Sequence, residues 1–511
     1  MQILIIDLGS QYTLLIGRRL RELGVRSLIL PPREVEEYLA KETPRGIILS
    51  GGAASIYDSD SPQPPENILK LNVPILGICL GMHWLVQVFG GEIRREETLI
   101  EYGPAQFSGS PTGLLEGVPW GYDLRNVPKY STIWASHGDS VRVMPLWFDD
   151  IGESGDGRTI AAIRHKERPI WGLQFHPEVE QTEYGPRILK NFLDICGAVP
   201  DWSAQNVIAE IREEISAKVP RNANCLLAYS GGVDSTILAS ILKLVLGERL
   251  TLVTIDGGQL REGELEEIQE NAKSAGSNAE IISNPTAFRR IELLADAEEK
   301  RAHFQETYFA TLEEYSARRG IELLIQGTLA PDIIESGKVG EAAHIKTHHN
   351  LGNSRLKQLH PLRALFKDEV RDLARALGLP EKVSERMPFP GPGLFCRVVG
   401  LPATEERLGI VRWADREVSH IIKEAQLERK ISQLVVALIG AKTVGVKGDG
   451  RSYGYPIVVR AVRTSDFMTA WGVELPSQVR REIIRTLTTH PAVTRVWFDE
   501  TSKPPATIEL E

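Results

Sequence analysis

The chain has few cysteines, no long apolar run and no surplus of positive charge, and each absence removes a class of protein. Its four cysteines, Cys79, Cys196, Cys225 and Cys396, are scattered over 511 residues with no CxxC pair. That spacing argues against a disulfide framework and against a zinc site. No apolar stretch approaches the ~18 residues needed to span a bilayer. The start, Met1 to Asp7, lacks the basic n-region and the apolar length of a secretion signal. The expectation is therefore a cytoplasmic protein with no membrane partner. The formal net charge is −9, the wrong sign for a general nucleic-acid binder. Internal repeats and low-complexity tracts are missing as well.

What remains is an ordinary globular composition, 42% apolar and 25% charged, at a length that suggests two to four domains. The charge is uneven. From Gly391 to Glu511 there are 17 Lys and Arg against 14 Asp and Glu, so the acidity lies in the rest. A locally basic C-terminal region suits a small anionic ligand, although ordinary surface charge gives the same count.

The first 197 residues alternate short apolar runs with amphipathic stretches. The runs 3–6, 46–49 and 75–78 are rich in Ile and Leu, as buried parallel strands require, and 14–23 has helical spacing between the first two. A boundary is expected near Ile195 to Pro200. Beyond it, a helical stretch at 202–218 precedes further buried-strand patterns at 225–229, 250–255 and 323–326. Pro388-Phe389-Pro390-Gly391-Pro392-Gly393 is too rich in Pro and Gly for helix or strand and reads as a rigid connection or binding loop. The last 120 residues mix strand-like 457–463, helix-like 478–486 and strand-like 493–499. The expected fold class is α/β: two open parallel-sheet α/β domains, 1–197 and 198–387, followed by a small α+β domain, 388–511.

Two glycine-rich turns carry chemistry. Gly77-Ile78-Cys79-Leu80-Gly81 follows an apolar run and places a cysteine on a strand-to-helix elbow, with glycines where the turn is crowded. The helix N-terminus there favours a thiolate, and the pattern is that of the G-x-S-x-G elbow with sulfur for oxygen. His176 and Glu178, two apart, point to one side of an extended segment, so Glu178 can orient His176 and His176 can activate Cys79. An oxyanion hole needs two N–H donors. Leu80 offers one, and Gly51 or Gly52 in the turn after the 46–49 run offers the other. A structural cysteine beside a surface His-Pro-Glu turn is the bland reading of each piece taken alone.

The second turn, Ser230-Gly231-Gly232-Val233-Asp234-Ser235, also joins a strand to a helix (236–246). Its amides and hydroxyls form an anion cradle. It is neither a Walker A nor a Rossmann fingerprint, and a generic glycine turn is its bland reading. Asp234 has the chemistry to hold Mg²⁺. In Ile345 to Asn350, the adjacent His348 and His349 diverge in any regular element. A phosphate-contacting loop with Lys346 as the charge is therefore expected rather than a metal site.

With these residues in view, the whole chain resembles the glutamine-hydrolysing GMP synthases. The N-terminal third resembles a class I glutamine amidotransferase, and the middle resembles an N-type ATP pyrophosphatase through Ser230 to Ser235. The most specific stretches are Gly327 to Ser336, Ile345 to Asn350, Phe389 to Leu394, Gly448 to Arg451, Ala461 to Ala470 and Lys503 to Glu509. The resemblance implies a reaction in two halves. Cys79, His176 and Glu178 hydrolyse glutamine to glutamate and ammonia. The second half adenylates xanthosine monophosphate (XMP) with MgATP, and ammonia then displaces AMP to leave GMP. By the same resemblance, Ser230 to Ser235 bind pyrophosphate and Asp256 lies near the adenosine. Pro390, Gly391, Pro392, Gly393, Arg451, Lys503 and Glu509 hold XMP, and the C-terminal domain makes a homodimer.

The chain departs from the usual family pattern in places. Leu80-Gly81-Met82-His83 stands where Tyr-Gly-Met-Gln is common, Met387 stands for His, Phe395-Cys396 for smaller aliphatics, and Leu510 for Trp. These motivate an alternative: a specialised paralogue that applies the same adenylation chemistry to another purine nucleotide, or transfers another nucleophile such as sulfur.

Overall fold

The computed structural model describes residues 2–95, 101–119, 130–155, 159–330, 332, 355–464, 467, 470–503 and 505–511. They fall into two compact units, one within 1–203 and one within 204–511. Lys346, expected to contact phosphate, lies outside the described residues.

The first unit is built on a nine-stranded sheet. Five neighbouring strands run parallel, in the order Ser27–Leu30, Ile3–Ile6, Gly46–Leu49, Ile75–Ile78 and Ile170–Leu173. Successive residues of a strand point to opposite faces, and here both faces are buried. Ile3, Ile5, Ile48, Leu76 and Ile78 belong to one core cluster. Leu4, Ile6, Ile47, Leu49 and Ile75 belong to another. That double burial is why these strands read as continuous apolar runs. The sheet then continues through four antiparallel strands, Thr159–His165, Phe148–Ser154, Glu101–Gly109 and Ser131–His137. This extension goes beyond the open parallel sheet expected from the runs. A strand such as Phe-Asp-Asp-Ile-Gly-Glu-Ser has no apolar run, because it owes its conformation to pairing across an irregular register with Thr159–His165.

The second unit holds two sheets. One is five-stranded and fully parallel, ordered Ala279–Ser283, Leu250–Asp256, Cys225–Ala228, Leu323–Ile325 and Lys357–Leu359. The chain order reverses at Cys225–Ala228, which is the kind of switch point where ligands bind at strand carboxyl ends. The other is a mixed sheet of six strands around the long strand Gly450–Arg463. The expected pieces 457–463, 478–486 and 493–499 appear as Gly450–Arg463, the helix Ser477–Leu487 and the strand Val493–Phe498. A 20-residue helix, Glu405–Glu424, covers this sheet. One apolar cluster runs from Leu226 to Val493 through both sheets. Among the described residues no helix is long and apolar enough to cross a membrane.

Candidate functional site

In the first unit, three adjacent parallel strands deliver the site. Ser50 and Gly51 follow Gly46–Leu49, Cys79 follows Ile75–Ile78, and Gln174 to His176 follow Ile170–Leu173. Because the strands pair in register, with Leu49 beside Gly77 and Ile78 beside Leu173, their carboxyl ends are level and the three loops converge. Cys79 adopts φ 47°, ψ −109°, a left-handed conformation that L residues avoid and that active sites hold under constraint. Its neighbours permit the turn. A Cβ on Gly77 would stand 2.6 Å from the Gly81 carbonyl carbon, and one on Gly81 would stand 2.5 Å from the Leu49 oxygen. The elbow therefore admits only glycine at both places.

The thiol sulfur of Cys79 lies 3.5 Å from Nε2 of His176, whose Nδ1 lies 2.7 Å from Glu178 Oε1. All three side chains are buried. Burial works against a charged His176 ring. The Cys79 sulfur and the Glu178 carboxylate outweigh it and hold the imidazole well above its ordinary pKa. Thr182 donates to the His176 carbonyl at 2.6 Å, Arg19 donates to the Glu178 carbonyl at 2.8 Å, and the Tyr12 ring meets the imidazole edge-on at 5.0 Å. Gly51 lies against the Cys79 and His176 side chains: a Cβ there would be 3.2 Å from His176 Cε1 and 3.4 Å from Cys79 Cβ. Gly52 is closed in by Leu8 and Leu80, its Cβ position 2.4 Å from the Leu8 oxygen. Leu80 opens the helix Leu80–Val88, so its amide is one of those a helix leaves without an internal acceptor. The arrangement suits attack by sulfur on a carboxamide and stabilisation of the resulting oxyanion.

In the second unit, a cavity of about 380 Å³ opens at the switch point of the parallel sheet. Ser230, Gly232, Val233, Asp234 and Ser235 line it, while Gly231 turns behind with φ +68° and its Cβ position 2.7 Å from Ile268. The Ser230 hydroxyl accepts from Gly232 N–H at 3.3 Å and meets the Ser235 hydroxyl at 3.2 Å. The helix Val233–Leu246 starts within the motif rather than after it. Asp234 receives a hydrogen bond from the ammonium of Lys367. Burial raises its pKa by more than Lys367 lowers it. Its other oxygen is buried with no hydrogen-bond partner among the described residues.

Lys367, which the sequence reading missed, had a signal. It opens the helix Lys367–Ala376, where the dipole disfavours a cation unless an anion faces it.

The far wall of the cavity comes from the Pro-Phe-Pro-Gly-Pro-Gly segment and the chain end. Pro390, Gly391, Pro392, Gly393, Lys503 and Glu509 all line it. Gly393 has φ +57°, and a Cβ there would sit 2.4 Å from the Gln259 oxygen. Two guanidiniums stand over the Phe389 ring, Arg261 at 4.4 Å and Arg397 at 5.4 Å from its centroid. Lys503 donates to the Phe467 carbonyl at 2.8 Å. Met387 and Cys396, two of the departures from the family pattern, also line the cavity.

Two expected contacts are elsewhere. Asp256 ends its strand and accepts from Gly258 N–H at 3.0 Å, while its neighbours Thr254 and Ile255 line the cavity. Arg451 lies opposite Val446 on the hairpin of Thr443–Lys447 and Gly450–Arg463 and is exposed.

Two family models match parts of the chain. The family described as "Glutamine amidotransferase class-I" matches residues 4–196, and "GMP synthase C terminal domain" matches residues 420–510. Across its whole length the chain is 38% identical to a "GMP synthase [glutamine-hydrolyzing]" of Treponema denticola, covering 97% of that protein. It is 42% identical to the protein of the same name from Thermosynechococcus vestitus, covering 96% of it. The corresponding figures for Thermus thermophilus are 41% and 100%.

Proposed function

The chain belongs to the family of glutamine-hydrolysing GMP synthases, and on that premise we propose which of its residues carry each step. It is an ATP-dependent ligase that makes GMP with glutamine as the nitrogen donor. The observation that carries the assignment is the buried line from Cys79 through His176 to Glu178, at 3.5 and 2.7 Å.

In the first half-reaction the Cys79 sulfur attacks the glutamine carboxamide. The oxyanion is held by the Leu80 amide and by Gly51 or Gly52. His176 delivers its proton to the departing nitrogen, so ammonia leaves and a thioester remains. His176 then takes a proton from water, which hydrolyses the thioester to glutamate. Glu178 keeps the imidazole in one tautomer and orientation.

In the second half-reaction Ser230, Gly232, Val233 and Ser235 cradle the pyrophosphate portion of ATP, with Gly231 shaping the turn. Lys367 balances phosphate charge alongside Lys346, and Asp256 lies toward the adenosine end. The orphaned Asp234 oxygen fits a hard cation. Mg²⁺ commonly takes one or two carboxylates together with phosphates and water, so Asp234 and the cavity-lining Asp332 would hold it, and when bound it would neutralise phosphate charge. Pro390 to Gly393, Lys503 and Glu509, which line the cavity, position XMP, whose oxygen displaces pyrophosphate from the α-phosphorus. Ammonia then displaces AMP and leaves GMP.

The working division is 1–197 for glutamine hydrolysis, 198–387 for adenylation and 388–511 for XMP binding and homodimer formation. Exposed Val444, Val446 and Tyr453 on one hairpin face support a homodimer through the last part. The reading places the enzyme in the cytoplasm.

The test is an end-point assay with XMP, MgATP and glutamine. Stoichiometric GMP, AMP, pyrophosphate and glutamate support the reading. AMP without GMP would move the acceptor to another purine nucleotide.

A further inference from the structure

The helix Leu80–Val88 carries His83 one turn beyond Cys79, and the ring is buried. Its Nε2 lies 2.8 Å from Oε1 of Gln174, a side chain only 1% exposed. The Gln174 amide nitrogen in turn lies 3.9 Å from the Cys79 sulfur. The Gln174 main-chain oxygen is closer still, 2.9 Å from the same sulfur, where it accepts the S–H.

These two contacts oppose each other. A carbonyl oxygen stabilises the neutral thiol, whereas an N–H stabilises the thiolate. Among the described residues, the side-chain donors that reach the sulfur are His176 and the Gln174 amide. Which arm of that amide faces the sulfur is decided by its other arm. An amide oxygen can only accept, so the His83 nitrogen facing it must carry a proton. With His83 donating, the oxygen is fixed on His83 and the NH₂ group is turned to Cys79. Were the amide reversed, its oxygen would face the sulfur and repel the anion.

We propose that His83 is a positioning residue for glutamine hydrolysis: it locks the Gln174 amide with its NH₂ group toward Cys79 and so favours the thiolate. The inference rests on the assignment of Cys79 as nucleophile. His83 reaches the Gln174 side chain, and through that amide it acts on the sulfur. Among the described residues, the other groups bearing on the sulfur are His176, backed by Glu178, and the N-terminus of the helix that Cys79 precedes.

The test uses the full chain. Alkylation of Cys79 by iodoacetamide is followed as a function of pH by mass spectrometry of the Cys79 peptide, alongside the kinetics of glutamine hydrolysis. His83→Leu removes the donor and should raise the alkylation midpoint by about one pH unit, the scale of one hydrogen bond to a charged group. kcat/KM for glutamine should fall about tenfold. His83→Gln keeps an N–H donor and should restore both. Gln174→Met should reproduce the His83→Leu shift, and combining the two should add nothing further.

An unchanged midpoint in His83→Leu, with or without lost activity, would overturn the inference by reducing His83 to a packing residue. So would additive shifts in the double variant, or a Gln174→Met variant with the wild-type midpoint. Cys79→Ala separates the two levels. If that variant still hydrolyses glutamine, the nucleophile assignment itself has failed.

Discussion

The carboxylate of Glu509 grips the guanidinium of Arg397 with both oxygens, at 2.7 Å to Nε and 3.0 Å to Nη2, and both side chains are buried. Gln433 adds a third contact to Glu509 at 2.5 Å. The chain end is thereby tied to the Gly393–Arg397 segment. A second tie runs from Lys300 to Glu511 at 2.8 Å. Truncating Glu509 to alanine removes the carboxylate in contact with the buried Arg397 and leaves it the Val436 carbonyl and the charge of Asp415. The expected loss is about 3–5 kcal/mol, the cost of breaking a buried ion pair from one side. Urea unfolding of the variant against the wild type measures it, and an unchanged midpoint would show that the pair is solvated.

Cys79→Ala is expected to lower glutamine-dependent GMP formation by at least about 10³-fold, because no other group can form the thioester. Synthesis from ammonium salts should persist, since the cradle at Ser230 to Ser235 is built in a different compact unit. Initial rates with each nitrogen source decide the matter. Loss of both activities would refute separate sites.

Asp234→Ala and Lys367→Met should each depress GMP synthesis about 10²-fold with either nitrogen source, the scale of removing one charged contact to a reacting group. The Asp234 variant should also need more Mg²⁺ for half-maximal rate, which a Mg²⁺ titration at fixed ATP reads directly. Normal rates in either variant would remove that residue from the phosphate site.

His176 binds its proton more tightly in the fold than its ordinary pKa of ~6.5 allows. The stability it contributes is therefore fully present below about pH 6.5 and is lost as pH rises through the raised folded value. Glu178→Gln removes one source of the elevation. The imidazole titration, followed by NMR, should move down. A midpoint that stays in place would assign the elevation to Cys79 alone.

Phe389 carries the guanidiniums of Arg261 and Arg397 over its ring, on the segment that walls the cavity of the second unit. Phe389→Leu keeps the volume roughly but loses two cation–π contacts of about 0.5–2 kcal/mol each. KM for XMP should rise by about tenfold or more, with KM for glutamine unmoved. Equal effects on both constants would mean that Phe389 only stabilises the fold.

The amino-acid sequence by itself determined the parallel cores and the two turns. Buried strands such as Ile3–Ile6 and Cys225–Ala228 must be apolar on both faces, so their runs announce them. The Cys79 elbow and the Ser230 to Ser235 cradle are local, with their glycines demanded by crowding and a positive φ within a few residues. His176 and Glu178 do meet, but through a turn at Pro177 and Glu178 rather than the extended segment that their two-residue spacing suggested.

Contacts between distant residues could not be read that way. The antiparallel extension of the first sheet, the hold of Lys367 on Asp234 across 133 positions and the bond from His83 to Gln174 across 91 depend on which strand ends and helix faces meet. The engagement of Glu509 with Arg397, the approach of two arginines to the Phe389 ring and the outward position of Arg451 were decided at the same level. A side chain's charge and shape are written in the sequence. The partner that satisfies it is set by the packing of the whole domain, because a buried charge takes whatever complementary group the assembled core brings within about 3 Å.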